Sequence, residues 1–171
     1  LRPLTRLVIM NVPHPNVARR EMQTWAQMRR SWYIFFFQLP RLPERMMAGN
    51  NARGIRNAFY KMAVDKTRFP PEVLQTYADA AQRPGAITAM INWYRALIRH
   101  GKSVDIRSGR INTPTLMIWG EEDSALGINC TVGTEEWVPN FELHRLPRVS
   151  HWVQQEAPEE VNRILGDWLE R

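Results

Sequence analysis

The hydrophobic pattern changes period along the chain, and each change marks an element. Leu7 to Val12 (LVIMNV) is a continuous apolar run closed by Pro13, as in a strand buried on both faces of a parallel sheet. The prolines of NVPHPN then force a turn, because a residue before proline is held away from the helical region. From Val17 to about Arg107 apolar residues recur at helical spacing. Val17, Met22, Trp25 and Met28 predict one helix face, and Ile55, Phe59 and Met62 a second. Val73, Leu74, Tyr77 and Ala81 predict a third, opened by Pro70 and Pro71. Ile87, Met90, Ile91, Tyr94, Leu97 and Ile98 predict a fourth, ended near Gly101. Between the first and second lies WYIFFFQLPRLPERMM, too aromatic for a solvated loop.

The period then shortens. Thr115 to Trp119 reads as a buried strand stopped by glycine and acids. FELHRL sends Phe141 and Leu143 one way and Glu142 and His144 the other, a half-exposed strand. APEEVNRILGDWLER closes the chain as an amphipathic helix. Pro158 sits in its first turn, Glu159 and Glu160 lie at its positive end, and Val161, Ile164, Leu165, Trp168 and Leu169 form its stripe. The order strand, helical insert, strand, helix or loop, strand, helix defines an α/β architecture with a helical excursion between two sheet strands. The expected divisions are a core strand segment over 1–15, a helical cap over 16–108 and a C-terminal core segment over 109–171. Three strands are few for an open sheet carrying so much helix. The chain also begins at Leu1 without methionine. We therefore expect the back portion of a larger fold whose N-terminal half is missing.

Composition narrows the classes. With 171 residues, 44% hydrophobic and 23% charged, the chain is neither disordered nor membrane-spanning, since every apolar run is too short for a bilayer. The opening segment lacks the long apolar core and small-residue cleavage site of a signal peptide. Cys130 stands alone, which excludes an internal disulfide and any multi-cysteine metal site. The missing signal and the lone cysteine together predict a cytoplasmic location. The net charge is +6, yet residues 1–110 carry 19 Lys/Arg against 6 Asp/Glu, and residues 111–171 carry 4 against 11. The arginines of the basic half (Arg19, Arg20, Arg29, Arg30, Arg41, Arg45, Arg53, Arg56) are scattered among tryptophans and methionines. That pattern predicts solvated helix faces and no nucleic-acid partner.

Two residues follow predicted strands directly. Asp123 comes after the second strand in IWGEEDSALG, where α/β sites assemble, although Glu121, Glu122 and Asp123 would also suit a solvated acidic turn. His151, in LPRVSHWVQQEAPEE, comes after the third strand, where an imidazole can act as a base or simply decorate a surface loop. His14 lies between prolines, His100 near a helix end and His144 on the outer face of a strand, so their claims are weaker. Tyr33, in SWYIFFFQLP, and Tyr94, in INWYRALI, offer phenolic donors suited to an oxygen that becomes negative, or are packed aromatics at helical spacing. The pattern G-x-S-x-G and its aspartate equivalents are absent from these residues.

SWYIFFFQLPRLPE, NWYR at Asn92 to Arg95, PTLMIWGEEDSALG and SHWVQQEAPEEVN, in that order, resemble the epoxide hydrolases of the α/β-hydrolase superfamily. The likeness runs through essentially the whole chain. It implies the C-terminal part of an α/β-hydrolase fold with its lid. It also implies a nucleophilic aspartate that opens an epoxide to an alkyl-enzyme ester. Tyr33 and Tyr94 would hydrogen-bond the epoxide oxygen, His151 would activate the water that releases a vicinal diol, and Asp123 would orient His151. No metal or organic cofactor is implied. Phe35, Phe36, Phe37, Met46, Met47 and Trp93 are expected to line an apolar pocket for a small-molecule epoxide. The family's His-Gly-x-Pro turn and nucleophile elbow have no match here, so the isolated chain is expected to be inactive. A haloalkane or haloacid dehalogenase of the same fold is the nearest rival, disfavoured by the second tyrosine. A non-catalytic fragment or interaction module, sticky at its sheet edge, is the alternative from another class. On the favoured reading the side chains of Asp123, His151, Tyr33 and Tyr94 serve one hollow.

Overall fold

The computed structural model describes residues 4–101 and 109–171. Its sheet has three parallel strands in the order β1 (Leu7–Met10), β2 (Thr115–Gly120) and β3 (Phe141–Leu146). Leu7 pairs with Thr115, and Thr115 with Phe141. The central strand β2 is buried along its whole length, which is why LMIW carries no polar alternation. Leu116 and Ile118 point to one face, into a core with Leu146, Val149, Val153, Val161, Ile164 and Trp168. Met117 and Trp119 point to the other, against Cys130, Ile9, Leu126, Ile128, Phe141 and Leu143. The first strand is shorter than the apolar run predicts. It stops before Asn11, whose φ of 46° breaks the extended backbone, and Val12 is exposed.

Eight α-helices accompany the sheet among the described residues: α1 (Pro15–Glu21), α2 (Trp25–Arg30), α3 (Trp32–Phe36), α4 (Leu42–Met62), α5 (Pro71–Ala81), α6 (Ala86–His100), α7 (Val153–Glu156) and α8 (Pro158–Leu169). Two compact units emerge. A sheet unit takes in the described parts of Leu1–Arg30 and Ile106–Arg171, and a helical unit those of Ser31–Asp105. The helical unit therefore begins later than the cap division at residue 16. Both α1 and α2 group with the sheet: Arg20 of α1 donates to the Val132 carbonyl, and Gln27 and Arg30 of α2 hydrogen-bond the loop after β2. The other expected cap boundary, at 108, lies outside the described residues.

The predicted first helix is really two. Thr24 accepts the Gln27 N–H on its hydroxyl at 3.2 Å, an N-cap that restarts the helix, and Trp25 is left 71% exposed. In the helical unit, α4 carries a kink at Gly49–Ala52, where Asn50, Asn51 and Ala52 all take left-handed φ. Its core joins Ala52, Ile55, Ala78, Ala81, Ile87 and Ile91, with Phe59 stacked on Tyr77 at 4.0 Å between ring centroids. On α6 the expected stripe is only partly buried: Ile87 and Ile91 are inside, whereas Met90, Leu97 and Ile98 are exposed. On α8 the stripe is buried at Val161, Ile164 and Trp168, Leu165 packs beside them, and Leu169 is exposed.

Candidate active site

The loops that leave β2 and β3 at their carboxyl ends bring Asp123 and His151 together. His151 Nδ1 lies 2.6 Å from Asp123 Oδ2. A carboxylate can only accept, so Nδ1 carries the proton and Nε2 is the basic nitrogen of the neutral ring. Asp123 is 1% exposed, and the His151 side chain is 24% exposed. This acid is not part of a solvated turn: Glu121 and Glu122 face water, while Asp123 turns in.

Four donors hold the Asp123 carboxylate. Oδ1 accepts the backbone N–H groups of Ala125 at 2.8 Å and Leu126 at 2.9 Å, and Oδ2 accepts from His151 and from Asn11 Nδ2 at 2.6 Å. Burial pushes the group up, but the hydrogen bonds and charge of His151, the Leu126 N–H and Asn11 outweigh it. The carboxyl is held below its ordinary range. It is therefore ionised at neutral pH.

The approach of the two loops depends on Gly120. A Cβ there would meet the Ser150 carbonyl oxygen at 2.1 Å and that of Val149 at 2.5 Å, so only glycine lets the His151 loop pass over the end of β2. The next residue back from His151 is anchored too. Ser150 donates its N–H to Glu156 Oε1 of α7 at 3.3 Å, and its hydroxyl donates to the same oxygen. The loop after β2 is fastened from α2. Gln27 Nε2 donates to the Ala125 carbonyl at 2.8 Å, Gln27 Oε1 accepts from Gly127 N–H at 3.0 Å, and Arg30 Nη1 donates to the Asp123 carbonyl at 2.7 Å.

Within the helical unit, Tyr33 of α3 and Tyr94 of α6 meet edge to face with ring centroids 5.6 Å apart. Phe37 packs on both rings, at 5.9 Å from Tyr33 and 5.0 Å from Tyr94. Burial pushes the Tyr94 phenol up, so it stays a neutral donor. Gln38 Nε2 donates to the Ile34 and Tyr94 carbonyls at 2.9 and 3.3 Å, tying α3 to α6. Of the residues expected to line a pocket, Phe36, Phe37 and Met47 are half-buried, and Phe35, Met46 and Trp93 are exposed. Trp93 has 64% of its surface in solvent.

The remaining histidines sit elsewhere. His14 is buried at the start of α1, accepts the Asn16 N–H on Nδ1, donates from Nε2 to the Gly109 carbonyl and stacks on Trp137. His144 pairs with Glu142 at 2.7 Å on β3, and His100 ends α6 in the open. Burial pushes the Cys130 thiol up to about 12, which leaves it no thiolate for nucleophilic work at neutral pH. Among the described residues no group of three or more His, Cys, Asp or Glu side chains is placed to hold a metal. No helix among them is long and apolar enough to cross a membrane.

Sequence reasoning found Asp123 and His151 from their places after strands and missed Asn11, Gln27, Ser150 and Glu156. For the backbone of Asn11, though not for its partners, a signal existed: an asparagine inside an apolar run, two residues before a proline, is suited to left-handed φ.

A parallel sheet with a buried acid after its middle strand and a histidine after the next has the fold of the α/β-hydrolases, in its C-terminal portion. No family model matches the chain. It is 32% identical over 172 residues to Epoxide hydrolase 4 of Mus musculus, covering 97% of this chain and 47% of that protein. It is 35% identical over 167 residues to AB hydrolase superfamily protein YfhM of Bacillus subtilis (strain 168), covering 97% and 57%. The structure of the Bacillus megaterium epoxide hydrolase in complex with an inhibitor superposes with a TM-score of 0.84 at 28% identity, over 98% of this chain and 61% of that one. The sequence thus resembles the epoxide hydrolases within the α/β-hydrolases, and it spans about half the length of the curated relatives it matches.

Proposed function

We propose that this chain is the lid and acid–base portion of an epoxide hydrolase. The observation that carries the reading is the 2.6 Å bond from His151 Nδ1 to a buried, ionised Asp123. It leaves His151 Nε2 as a base oriented by a fixed partner. The likeness to named epoxide hydrolases supports the substrate class.

In this mechanism an aspartate carboxylate outside these 171 residues attacks one epoxide carbon. The carbon–oxygen bond breaks, and the electron pair goes to the epoxide oxygen. Tyr33 and Tyr94 donate to that oxygen as it becomes negative, and a phenol supplies its proton. His151 Nε2 then takes a proton from water, whose oxygen attacks the ester carbonyl. The ester carbon–oxygen bond breaks, and the imidazolium gives that proton to the departing alkoxide to release the vicinal diol. The carboxyl proton left by the water returns to the phenolate, restoring the carboxylate and the phenol. A placed base of this kind contributes about 10²–10⁴-fold. Asp123 stabilises the imidazolium formed in that step and keeps the ring in its Nδ1–H tautomer.

The test uses styrene oxide and the protein in two forms. The 171-residue chain alone should release no diol above background, because loss of the attacking group removes nearly all covalent catalysis. In a longer chain that carries the nucleophile, His151→Ala should leave a labelled ester trapped on the protein. Tyr33→Phe and Tyr94→Phe should each slow epoxide opening. Diol release by the short chain that His151→Ala abolishes would overturn the proposal. So would haloalkane turnover untouched by either tyrosine change, which would move the protein to the dehalogenases.

A further inference from the structure

We propose that Asn11, at the end of β1, is a positioning residue that aims Asp123 at His151 and tempers the charge His151 meets. The proposal rests on the reading of Asp123 and His151 as acid and base.

Asn11 is 1% exposed and makes three bonds to the neighbourhood of β2. Its backbone N–H donates to the Ile118 carbonyl at 3.1 Å, continuing the ladder of the sheet. Its Oδ1 accepts the Gly120 N–H at 3.1 Å, and its Nδ2 donates to Asp123 Oδ2 at 2.6 Å. The amide orientation follows from its partners. A flipped amide would set its NH2 against the Gly120 N–H and its oxygen against a carboxylate, two repulsions in a buried place. Asn11 thus hangs from the end of the central strand and points a fixed donor at the oxygen that His151 also uses. With both donors on Oδ2 and two backbone N–H groups on Oδ1, the carboxylate cannot swing.

The backbone supports a role beyond holding the sheet. A φ of 46° at a residue with a side chain is uncommon, and asparagine is among the few that adopt it readily. A glycine would satisfy that backbone and its ladder bond equally well. What glycine could not supply is the amide. Among the described residues, Arg30 of α2 bonds the Asp123 carbonyl and Glu156 of α7 bonds Ser150, while Glu121 and Glu122 precede Asp123 and Arg148 precedes the His151 turn, with Glu121, Glu122 and Arg148 exposed.

The Asn11 dipole presents its positive end to the carboxylate and, beyond it, to the imidazole. It therefore opposes formation of the imidazolium. Removing it should make His151 easier to protonate, and replacing it with a second carboxylate more so. Carbon-13 histidine labelling of the 171-residue chain, with His151 assigned through His151→Gln, reads the titration midpoint of each ring by NMR. Relative to the parent, Asn11→Gly should raise the His151 midpoint by about half a pH unit, and Asn11→Asp by about one. His100 and His144 should stay put. Asp123→Asn should lower the His151 midpoint, since it removes the opposite charge.

If Asp123→Asn moves the midpoint and neither Asn11 variant does, the role of Asn11 is overturned and the acid–base pair stands. If Asp123→Asn has no effect either, the pair itself falls and takes the proposed function with it. Circular dichroism melts of both Asn11 variants guard the comparison. Should both fail to fold, Asn11 is a sheet-holding residue and the proposal is wrong.

Discussion

At the scale of single residues, Asp123 links stability to chemistry. Its carboxyl is held below its unfolded range of about 3.9, so its ionised form favours the folded chain. A group depressed in this way contributes stability above the unfolded value, and that contribution disappears as pH falls through the folded one. Resistance to urea should therefore drop as pH is lowered from about 5 to below 4. Asp123→Asn should lower the urea midpoint at neutral pH and flatten the acid part of the profile. Glu44, Glu142 and Glu160 are also held low, by Arg95, by His144 and Arg171, and by Arg163 respectively, but they lie near the surface, where solvent screening leaves them little weight. An unchanged acid slope in Asp123→Asn would assign acid sensitivity to those exposed carboxylates instead. Asp123 and His151 were legible because each directly follows an apolar strand. Asn11 was not, because its role appears only when β1 lies beside β2, more than a hundred residues along the chain.

Among elements, the strands and the last helix were the most legible, since their periods are short and their boundaries carry proline or glycine. β2 and β3 begin and end within a residue of the apolar patterns that predict them. The helices of the insert were legible as helices but not as faces. A stripe of apolar residues tells which side can be buried, not whether anything covers it, and on α6 half of the stripe meets solvent. The restart at Thr24 and the left-handed turn inside α4 were also unread: the first depends on one hydroxyl, the second on Asn50, Asn51 and Ala52 in succession taking a conformation that asparagine adopts as a single residue. α8 offers the cleanest measure of how much one element adds. Trp168 is 7% exposed, packs in the core with Leu116 and Ile118, and lies under the Arg6 guanidinium at 5.1 Å from its ring centroid. Trp168→Ala should cost about 3–5 kcal/mol in urea unfolding. A loss below about 1 kcal/mol would mean that α8 is not fastened to the sheet as its burial indicates.

Across the whole molecule, the order of strands and helices was enough to assign an α/β fold, because a parallel strand pair demands a crossover and the insert supplies one. The distribution of charge takes a different form once the units are known. Residues 31–105 carry 11 Lys/Arg and 5 Asp/Glu, whereas the rest of the chain carries 12 of each, so the entire +6 excess belongs to the helical unit. Of the eleven cations, Arg95 is paired within the unit: its Nη1 reaches Glu44 Oε1 at 2.6 Å while its other nitrogens donate to the Phe37 and Leu39 carbonyls. Among the described residues the other cations are spread over α4 and its N-cap, the Lys66–Arg68 turn, Arg83 and α6. A field of this kind attracts polyanions weakly and is screened within about 8 Å at physiological salt. The chain should therefore be retained on heparin only at low salt and elute by about 0.15 M. Retention well beyond that, with a steep dependence on salt, would mean that several phosphate-like contacts form at once, and the interaction-module alternative would then displace the catalytic reading of the helical unit.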